Sequence, residues 1–114
     1  MLNSGDVIDL DFGSPEGHEA GFRRPAVVVS AQRILDSTPS VIQVVPVTST
    51  VRAFGSEVEV IPDATNGFDQ RSVAQCQHIR AVSTSRAFAI RGNVGGVVLA
   101  QIRETLAVIL DLQP

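Results

Sequence analysis

The apolar residues of this chain recur at strand spacing in a series of short segments and at helix spacing only in the last one. Near the N-terminus, Ile8, Leu10 and Phe12 fall on one side of an extended chain and Asp9 and Asp11 on the other, as in a half-buried strand. By the same criteria, strands are predicted at residues 6–12, 25–30, 41–47, 57–61, 71–82 and 88–91. This pattern limits the chain to a fold built mainly from short strands.

Apolar residues return at helical spacing after Gly95 and Gly96, where the sequence predicts a closing amphipathic helix of about 14 residues. Its apolar positions are Leu99, Ile102, Leu106, Ile109 and Leu110. Residues 31–39 are polar and irregular, with room for one helical turn. We therefore expect a mainly β fold of the α+β class: a small, strongly bent, partly open antiparallel barrel with a C-terminal helix.

With 114 residues, 44% of them hydrophobic, the chain is long enough to bury one core, so we predict a single domain over residues 1–114. No stretch approaches the ~18 apolar residues of a membrane span and no signal peptide is visible, so we expect a soluble, cytoplasmic protein that does not enter a membrane. Cys76 is the only cysteine, and there are two histidines and no Cys-x-x-Cys motif. We predict that Cys76 is a small core residue and that the protein uses no metal ion or other cofactor.

Charge is distributed unevenly along the chain. The net charge of −3 argues weakly against a nucleic-acid binder. Residues 1–69, however, hold ten acidic residues and four arginines, whereas residues 70–114 hold five arginines and two acidic residues. Every basic residue is arginine, whose guanidinium group binds phosphate in a bidentate manner. The pattern indicates either a local positive face on an acidic protein or a simple compositional preference for arginine.

Three short segments carry side chains suited to chemistry. A glycine-rich loop of about ten residues leads into the second predicted strand at Arg23 and Arg24, where a flexible segment becomes rigid enough to hold an anion-stabilising group. Thr48 and Ser49 stand where the third predicted strand ends, and residues 77–80 combine glutamine, histidine and arginine. Each segment by itself also has an ordinary structural explanation, namely a solvated loop, a strand end and a half-buried histidine.

Taken together, the segments resemble a known family. The chain has no Gly-x-Ser-x-Gly elbow, P-loop or dinucleotide fingerprint. In chain order it carries Gly17-His18-Glu19, Arg24-Pro25-Ala26-Val27-Val28-Val29, Val45-Pro46-Val47-Thr48-Ser49, Ser72-Val73-Ala74, His78-Ile79-Arg80 and Leu110-Asp111-Leu112. The order and spacing of these segments resemble the MazF/PemK family of toxin endoribonucleases over essentially the whole chain.

The resemblance implies a compact SH3-like barrel of the CcdB/PemK type that forms a homodimer. It also implies the toxin component of a type II toxin–antitoxin system, which cleaves single-stranded RNA at short sequences without a metal ion. The expected products are a 2′,3′-cyclic phosphate and a 5′-hydroxyl, and the expected partner besides RNA is a MazE-like antitoxin.

At the positions that match the family's catalytic residues this chain has Arg24 and Thr48, so the resemblance implies that they are the catalytic pair. The resemblance further implies RNA contacts by the loop that carries His18 and Glu19 and by Gln77 and His78. We also predict RNA contacts by the following neighbouring residues: Phe22, Arg23, Ser49 and Arg80. A fixed guanidinium group and a hydroxyl donor suit the negative charge that develops on the phosphoryl oxygens during attack by a ribose 2′-hydroxyl.

Several alternatives remain open at this point. Because arginine stays protonated, the 2′-hydroxyl proton needs another acceptor, for which His18, His78 and Glu19 are candidates; the alternative is that they only form hydrogen bonds. Phe22 could stack on a base or pack the loop down. The related CcdB-type toxins bind DNA gyrase, so a non-enzymatic gyrase-binding toxin is the alternative function, as is a catalytically decayed nuclease.

Overall fold

A computed structural model of the protein describes residues 1–52 and 54–112, which form seven strands, two α-helices and two short 3₁₀ turns. The strands are β1 (Asp6–Asp11), β2 (Arg23–Val28), β3 (Val41–Thr48), β4 (Glu57–Val60), β5 (Ser72–Gln75), β6 (Arg80–Ser83) and β7 (Ala87–Asn93). The helices are α1 (Gln32–Leu35) and α2 (Gly95–Ile109), and the 3₁₀ turns are Cys76–His78 and Thr84–Arg86. The predicted α+β class and the C-terminal helix are confirmed.

All strand pairings are antiparallel, and the order across the sheet is β4-β5-β3-β2-β1-β7, with β6 beside β3. In the described part of the chain, β4 and β7 do not pair with each other, so the bent sheet stays open. The prediction of a partly open barrel is therefore confirmed.

The hydrophobic core has two parts because successive side chains of a strand point to opposite faces. On one face, α2 packs through Leu99, Ile102 and Leu106 against a valine-rich layer that includes Val7 and Val27. The other face buries a second cluster: Ile8, Leu10, Phe12, Ala26, Val28, Leu35, Ile42, Val44 and Val82. No helix in residues 1–52 and 54–112 is long and apolar enough to cross a membrane.

The prediction of one long strand over residues 71–82 is wrong. The 3₁₀ turn Cys76–His78 divides it into β5 and β6. Val47 of β3 pairs with Ala74, so an unbroken strand would place Gln77 opposite Val44; instead Val44 pairs with Arg80. The turn thus inserts three residues into the ladder. Strand alternation could not predict this insertion, because it depends on pairing with β3.

Other boundaries differ less. The last strand is longer than predicted, because residues 87–93 pair with β1 through a ladder that contains two irregularities. Helix α2 has 15 residues, close to the predicted length, and the helical turn predicted within residues 31–39 is α1. The second strand begins earlier than predicted, at Arg23, so both adjacent arginines belong to the sheet.

Cys76 is fully buried, which confirms its prediction as a core residue. Burial is the main cause that raises the pKa of its thiol from 9.0 to about 11, and the nearby Glu57 carboxylate contributes. Since thiolate is the reactive form, we expect native Cys76 to react with iodoacetamide at pH 8 at least ~100-fold more slowly than urea-unfolded protein does. Alkylation is measured by mass spectrometry, and equal rates for the native and the urea-unfolded protein would contradict this prediction.

The same shift predicts alkaline sensitivity. A pKa raised in the folded state means that the protonated thiol stabilises the fold fully below pH 9.0, and that this contribution is lost as the pH rises towards about 11. The chain has no tyrosine and no lysine, so few other groups titrate in this range. Urea unfolding between pH 8 and 11 should therefore show falling stability in the wild type and a much weaker fall in Cys76→Ala.

Candidate active site

Arg24 and Thr48 lie opposite each other at one end of the β2–β3 pair. Ala26 pairs with Pro46 in this antiparallel ladder, and Arg24 and Thr48 are the next residues of the same face on each strand. Both side chains line a cleft of about 210 Å³, which we call the Arg24 cleft. The pairing register thus brings together two residues that are far apart in the sequence.

The Arg24 guanidinium group is held from two sides. Its Nε donates to the Gly21 carbonyl oxygen at 3.1 Å, and its Nη1 donates to Oε1 of Gln75 at 3.3 Å. Gln75 is itself buried, so this partner is fixed by packing. Among the residues that the structure describes, Nη2 has no hydrogen-bond partner. Arg24 therefore has an oriented guanidinium group with a donor left for a ligand.

The Thr48 hydroxyl is oriented as well. Its Oγ1 accepts a hydrogen bond from the backbone N–H of Thr50 at 3.2 Å. Because the oxygen serves as the acceptor in this contact, the hydroxyl hydrogen is available to a ligand in the cleft. Arg24 and Thr48 can thus donate to the same anion.

Three other elements complete the walls of the Arg24 cleft. The glycine-rich loop contributes His18 and Glu19, and the 3₁₀ turn within residues 76–78 contributes His78. A second hollow of about 370 Å³ is lined by Glu19 and His78 together with the following residues: Ala20, Gln77, Ile79 and Arg80. Since Glu19, Ala20 and His78 line both hollows, they form one continuous groove.

The groove carries more positive than negative charge. Arg24 and Arg52 line its first part and Arg80 its second, whereas Glu19 is the one carboxylate among the side chains lining either part. The Arg80 guanidinium group lies 5.5 Å from the centre of the Phe12 ring, which holds it over an apolar surface. The local positive face considered from the sequence is therefore present at the groove, on a protein whose net charge is −3.

Three residues predicted to contact RNA lie outside this groove. Arg23 precedes Arg24 in β2, so its side chain points to the other face, where its guanidinium group lies 5.0 Å from the centre of the Phe88 ring. Ser49 lines a separate cleft on that face. Phe22 is 65% exposed, so the alternative that it packs the loop down is wrong.

A model of the family described as PemK-like, MazF-like toxins of type II toxin–antitoxin systems matches residues 3–110. The chain belongs to this family. The resemblance that the sequence motifs indicated is therefore confirmed, and it extends over nearly all of the chain.

Individual relatives agree with the family assignment. The chain is 34% identical to endoribonuclease MazF9 of Mycobacterium tuberculosis over 116 residues, which cover 98% of each chain. It superposes on a crystal structure of MazF from Deinococcus radiodurans with a TM-score of 0.82 and 28% identity, over 97% of both chains. A MazE–MazF crystal structure from the same organism matches with a TM-score of 0.76 and 29% identity, over 98% of this chain and 97% of that chain. The predicted fold class is confirmed by these structures.

Sequence reasoning missed three polar residues of the Arg24 cleft in this PemK/MazF toxin: Thr50, Arg52 and Gln75. Thr50 and Arg52 follow Thr48 closely, so the end of β3 gave a weak signal. Gln75 is the last residue of β5, which is buried throughout, and a buried amide requires a partner. That partner, Arg24, is 51 residues away and is visible only in the structure.

Gln75 is predicted to act as a positioning residue for Arg24. In Gln75→Ala, Nη1 of Arg24 loses its acceptor, and we expect kcat for RNA cleavage to fall about tenfold with little change in KM. In an Arg24→Ala background the same change should have no further effect, because Gln75 is expected to act only through the Arg24 guanidinium group, which is then already absent. Gln101→Ala, on the exposed side of α2, is the matched control. Additive effects of Gln75→Ala and Arg24→Ala would contradict the positioning role.

Proposed function

We propose that this toxin is an endoribonuclease that cleaves single-stranded RNA without a metal ion, by attack of a ribose 2′-hydroxyl on the adjacent phosphorus. The observation that carries the proposal is the facing pair of Arg24 and Thr48, which line one cleft and each keep a hydrogen-bond donor without an acceptor in the described part of the chain. The activity agrees with the name of the relative that is 34% identical, endoribonuclease MazF9.

The reaction forms a bond between O2′ and phosphorus and breaks the bond between phosphorus and O5′. Negative charge increases on the two non-bridging phosphoryl oxygens during this exchange, and donors that are already oriented stabilise it without reorganisation. Arg24 supplies a positive charge and its Nη2 donor, and Thr48 supplies a hydroxyl donor. The products are a 2′,3′-cyclic phosphate and a 5′-hydroxyl.

Two protons must also move, one from the 2′-hydroxyl and one to the departing O5′. Arginine remains protonated at ordinary pH, so another group of the cleft accepts the first proton. His18, His78 and Glu19 all line the Arg24 cleft. We assign the proton transfer to one or more of these three residues.

This assignment predicts a change in the pH dependence of cleavage. Profiles of kcat/KM against pH for His18→Ala, His78→Gln and Glu19→Gln should include at least one variant that loses a limb of the wild-type curve. Thr105→Ala, on α2 and outside the groove, serves as the control. Three profiles with the wild-type shape would contradict a proton-transfer role for these side chains.

The rest of the groove suits RNA recognition. Gln77, His78 and Arg80 line its second part, where hydrogen-bond donors and acceptors can contact bases and a guanidinium group can contact a phosphate. Arg23, Ser49 and Phe22 lie outside the groove, so their proposed RNA contacts require a strand that extends beyond it.

We also propose a homodimer and a MazE-like antitoxin as partners. Phe88 and Ile90 of the edge strand β7 are 55% and 58% exposed, which is an apolar edge that a second copy can cover. A relative from Deinococcus radiodurans is described as a MazE–MazF structure. An acidic antitoxin segment would compete with RNA for the groove around Arg24 and Arg80. Sedimentation as a monomer at micromolar concentration would contradict the dimer.

The decisive experiment is incubation of mixed-sequence RNA with the toxin in excess EDTA, followed by end-group analysis. We expect cleavage with 2′,3′-cyclic phosphate and 5′-hydroxyl ends, and no cleavage where the nucleotide at the cut site is 2′-deoxy. A metal requirement, or cleavage of the 2′-deoxy substrate, would contradict the mechanism. Intact RNA would favour the gyrase-binding or decayed alternatives, which have no need for the oriented donors of Arg24 and Thr48.

A further inference from the structure

A cleft of about 260 Å³ opens on the opposite side of Thr48 from the Arg24 cleft. Thr48 lines both, and Pro25, Val47 and Phe68 are the apolar residues that line this second cleft. Pro25 follows Arg24 in β2 and Val47 precedes Thr48 in β3, so both lie on the sheet face that points away from Arg24. We call this second cleft the Phe68 cleft.

The wall that carries Phe68 is rigid although it has no regular secondary structure. Asn66 is 1% exposed, and its Oδ1 accepts the backbone N–H groups of Asp63 at 3.2 Å and Phe68 at 3.1 Å. Its Nδ2 donates to the Ile61 carbonyl oxygen at 2.8 Å. Phe68 is 8% exposed, so its ring belongs to the core as well as to the cleft. The Phe68 cleft is thus preformed.

The chemistry of the cleft suits a flat, uncharged, polar-edged group. Pro25, Val47 and Phe68 supply apolar surface, while buried Ser72, the Asp69 carboxylate and the Gln70 amide supply polar groups. Arg91 also lines the cleft, but its Nε donates to Asp9 at 2.8 Å, so its charge is already paired. A phosphate would meet the Asp69 charge without a free cation beside it. A nucleobase combines an apolar face with hydrogen-bonding edges and avoids this repulsion.

Asp69 further restricts which base fits. An ionised carboxylate only accepts hydrogen bonds, and its two oxygens match a pair of adjacent donors. Guanine is the base with two neighbouring donor groups, N1–H and the 2-amino group, on one edge. Adenine, cytosine and uracil each present a single donor group there, flanked by acceptors that Asp69 would repel.

We propose that the Phe68 cleft binds the base of a nucleotide adjoining the scissile phosphate, and that Asp69 selects guanine at that position. The shared wall at Thr48 allows a nucleotide whose phosphate contacts Thr48 to place its base across this residue. The inference rests on the proposed RNA cleavage and adds a specificity site on the other face of the sheet.

The test compares cleavage of a randomised RNA by the wild type and by Asp69→Asn, with all cut sites sequenced. We expect the wild type to prefer guanine at one position next to the cut, and Asp69→Asn, which has the same shape but offers an amide, to lose about tenfold of that preference. Asp36→Asn removes the same charge from an exposed residue outside both clefts and is the matched control.

Inosine provides a check that does not depend on the stability of a variant. Inosine lacks the 2-amino group, so replacing guanine by inosine at the preferred position should slow the wild type about tenfold and leave Asp69→Asn unaffected. Cleavage by the wild type with no guanine preference beside the cut, or with identical preferences in Asp69→Asn, overturns the guanine site and leaves the proposed nuclease intact. Failure of the wild type to cleave any RNA overturns both proposals.

Discussion

Arg24→Ala is expected to lower kcat/KM for RNA cleavage by roughly 10²–10³-fold, the usual consequence of removing one oriented donor to a developing anion. The loss should be this large because Arg24 supplies both a charge and a donor whose direction is set by Gly21 and Gln75. Rates are measured on a short RNA with a single cut site, in EDTA, with substrate well below KM.

Two controls separate chemistry from folding. Arg33→Ala removes an arginine from the exposed surface of α1, outside the groove, and should leave the rate unchanged. Arg24→Lys keeps the charge but cannot reproduce the forked contacts to Gly21 and Gln75, so its rate should fall between those of the wild type and Arg24→Ala. Equal rates for Arg24→Ala and Arg33→Ala, in proteins with matching melting temperatures, would remove Arg24 from the mechanism.

Asn66→Ala is expected to lower the free energy of unfolding by roughly 2–4 kcal/mol, the largest stability effect that we predict for a polar residue. The substitution leaves the N–H groups of Asp63 and Phe68 and the carbonyl of Ile61 without the partners that Asn66 supplies. Asn66 is 1% exposed and its contact with the Phe68 N–H is buried, so water cannot replace that contact without opening the segment. Urea unfolding with an unchanged m-value measures the effect.

Thr65→Ala is the neighbouring control for this prediction. Thr65 is exposed, and its side chain donates one hydrogen bond, to Asp63 at 3.0 Å, so its removal should cost less than about 1 kcal/mol. If Asn66→Ala unfolded within about 0.5 kcal/mol of the wild type, the segment that supports Phe68 would not be held by Asn66, and the Phe68 cleft would not be rigid.

Most strands were predictable because alternation is a local property. Ile8, Leu10 and Phe12 share one buried face as their spacing indicated, and the helix over Leu99, Ile102 and Leu106 packs through these residues. The division of residues 71–82 was not predictable, since the three extra residues of the 3₁₀ turn make sense only against the register of β3. That division also places Gln77 and His78 in the groove.

The sequence by itself determined the family and the class of fold, and it predicted Arg24 and Thr48 as the catalytic pair, because the motifs that carry them are contiguous in the chain. Only the tertiary structure decided how these residues are held and what surrounds them. It holds Arg24 through Gln75, adds Arg52 to the cleft and turns Arg23 and Ser49 to the opposite face. The physical reason is that pairing register and loop convergence are set by contacts between distant segments, whereas spacing along the chain records only which side of its own strand a residue takes.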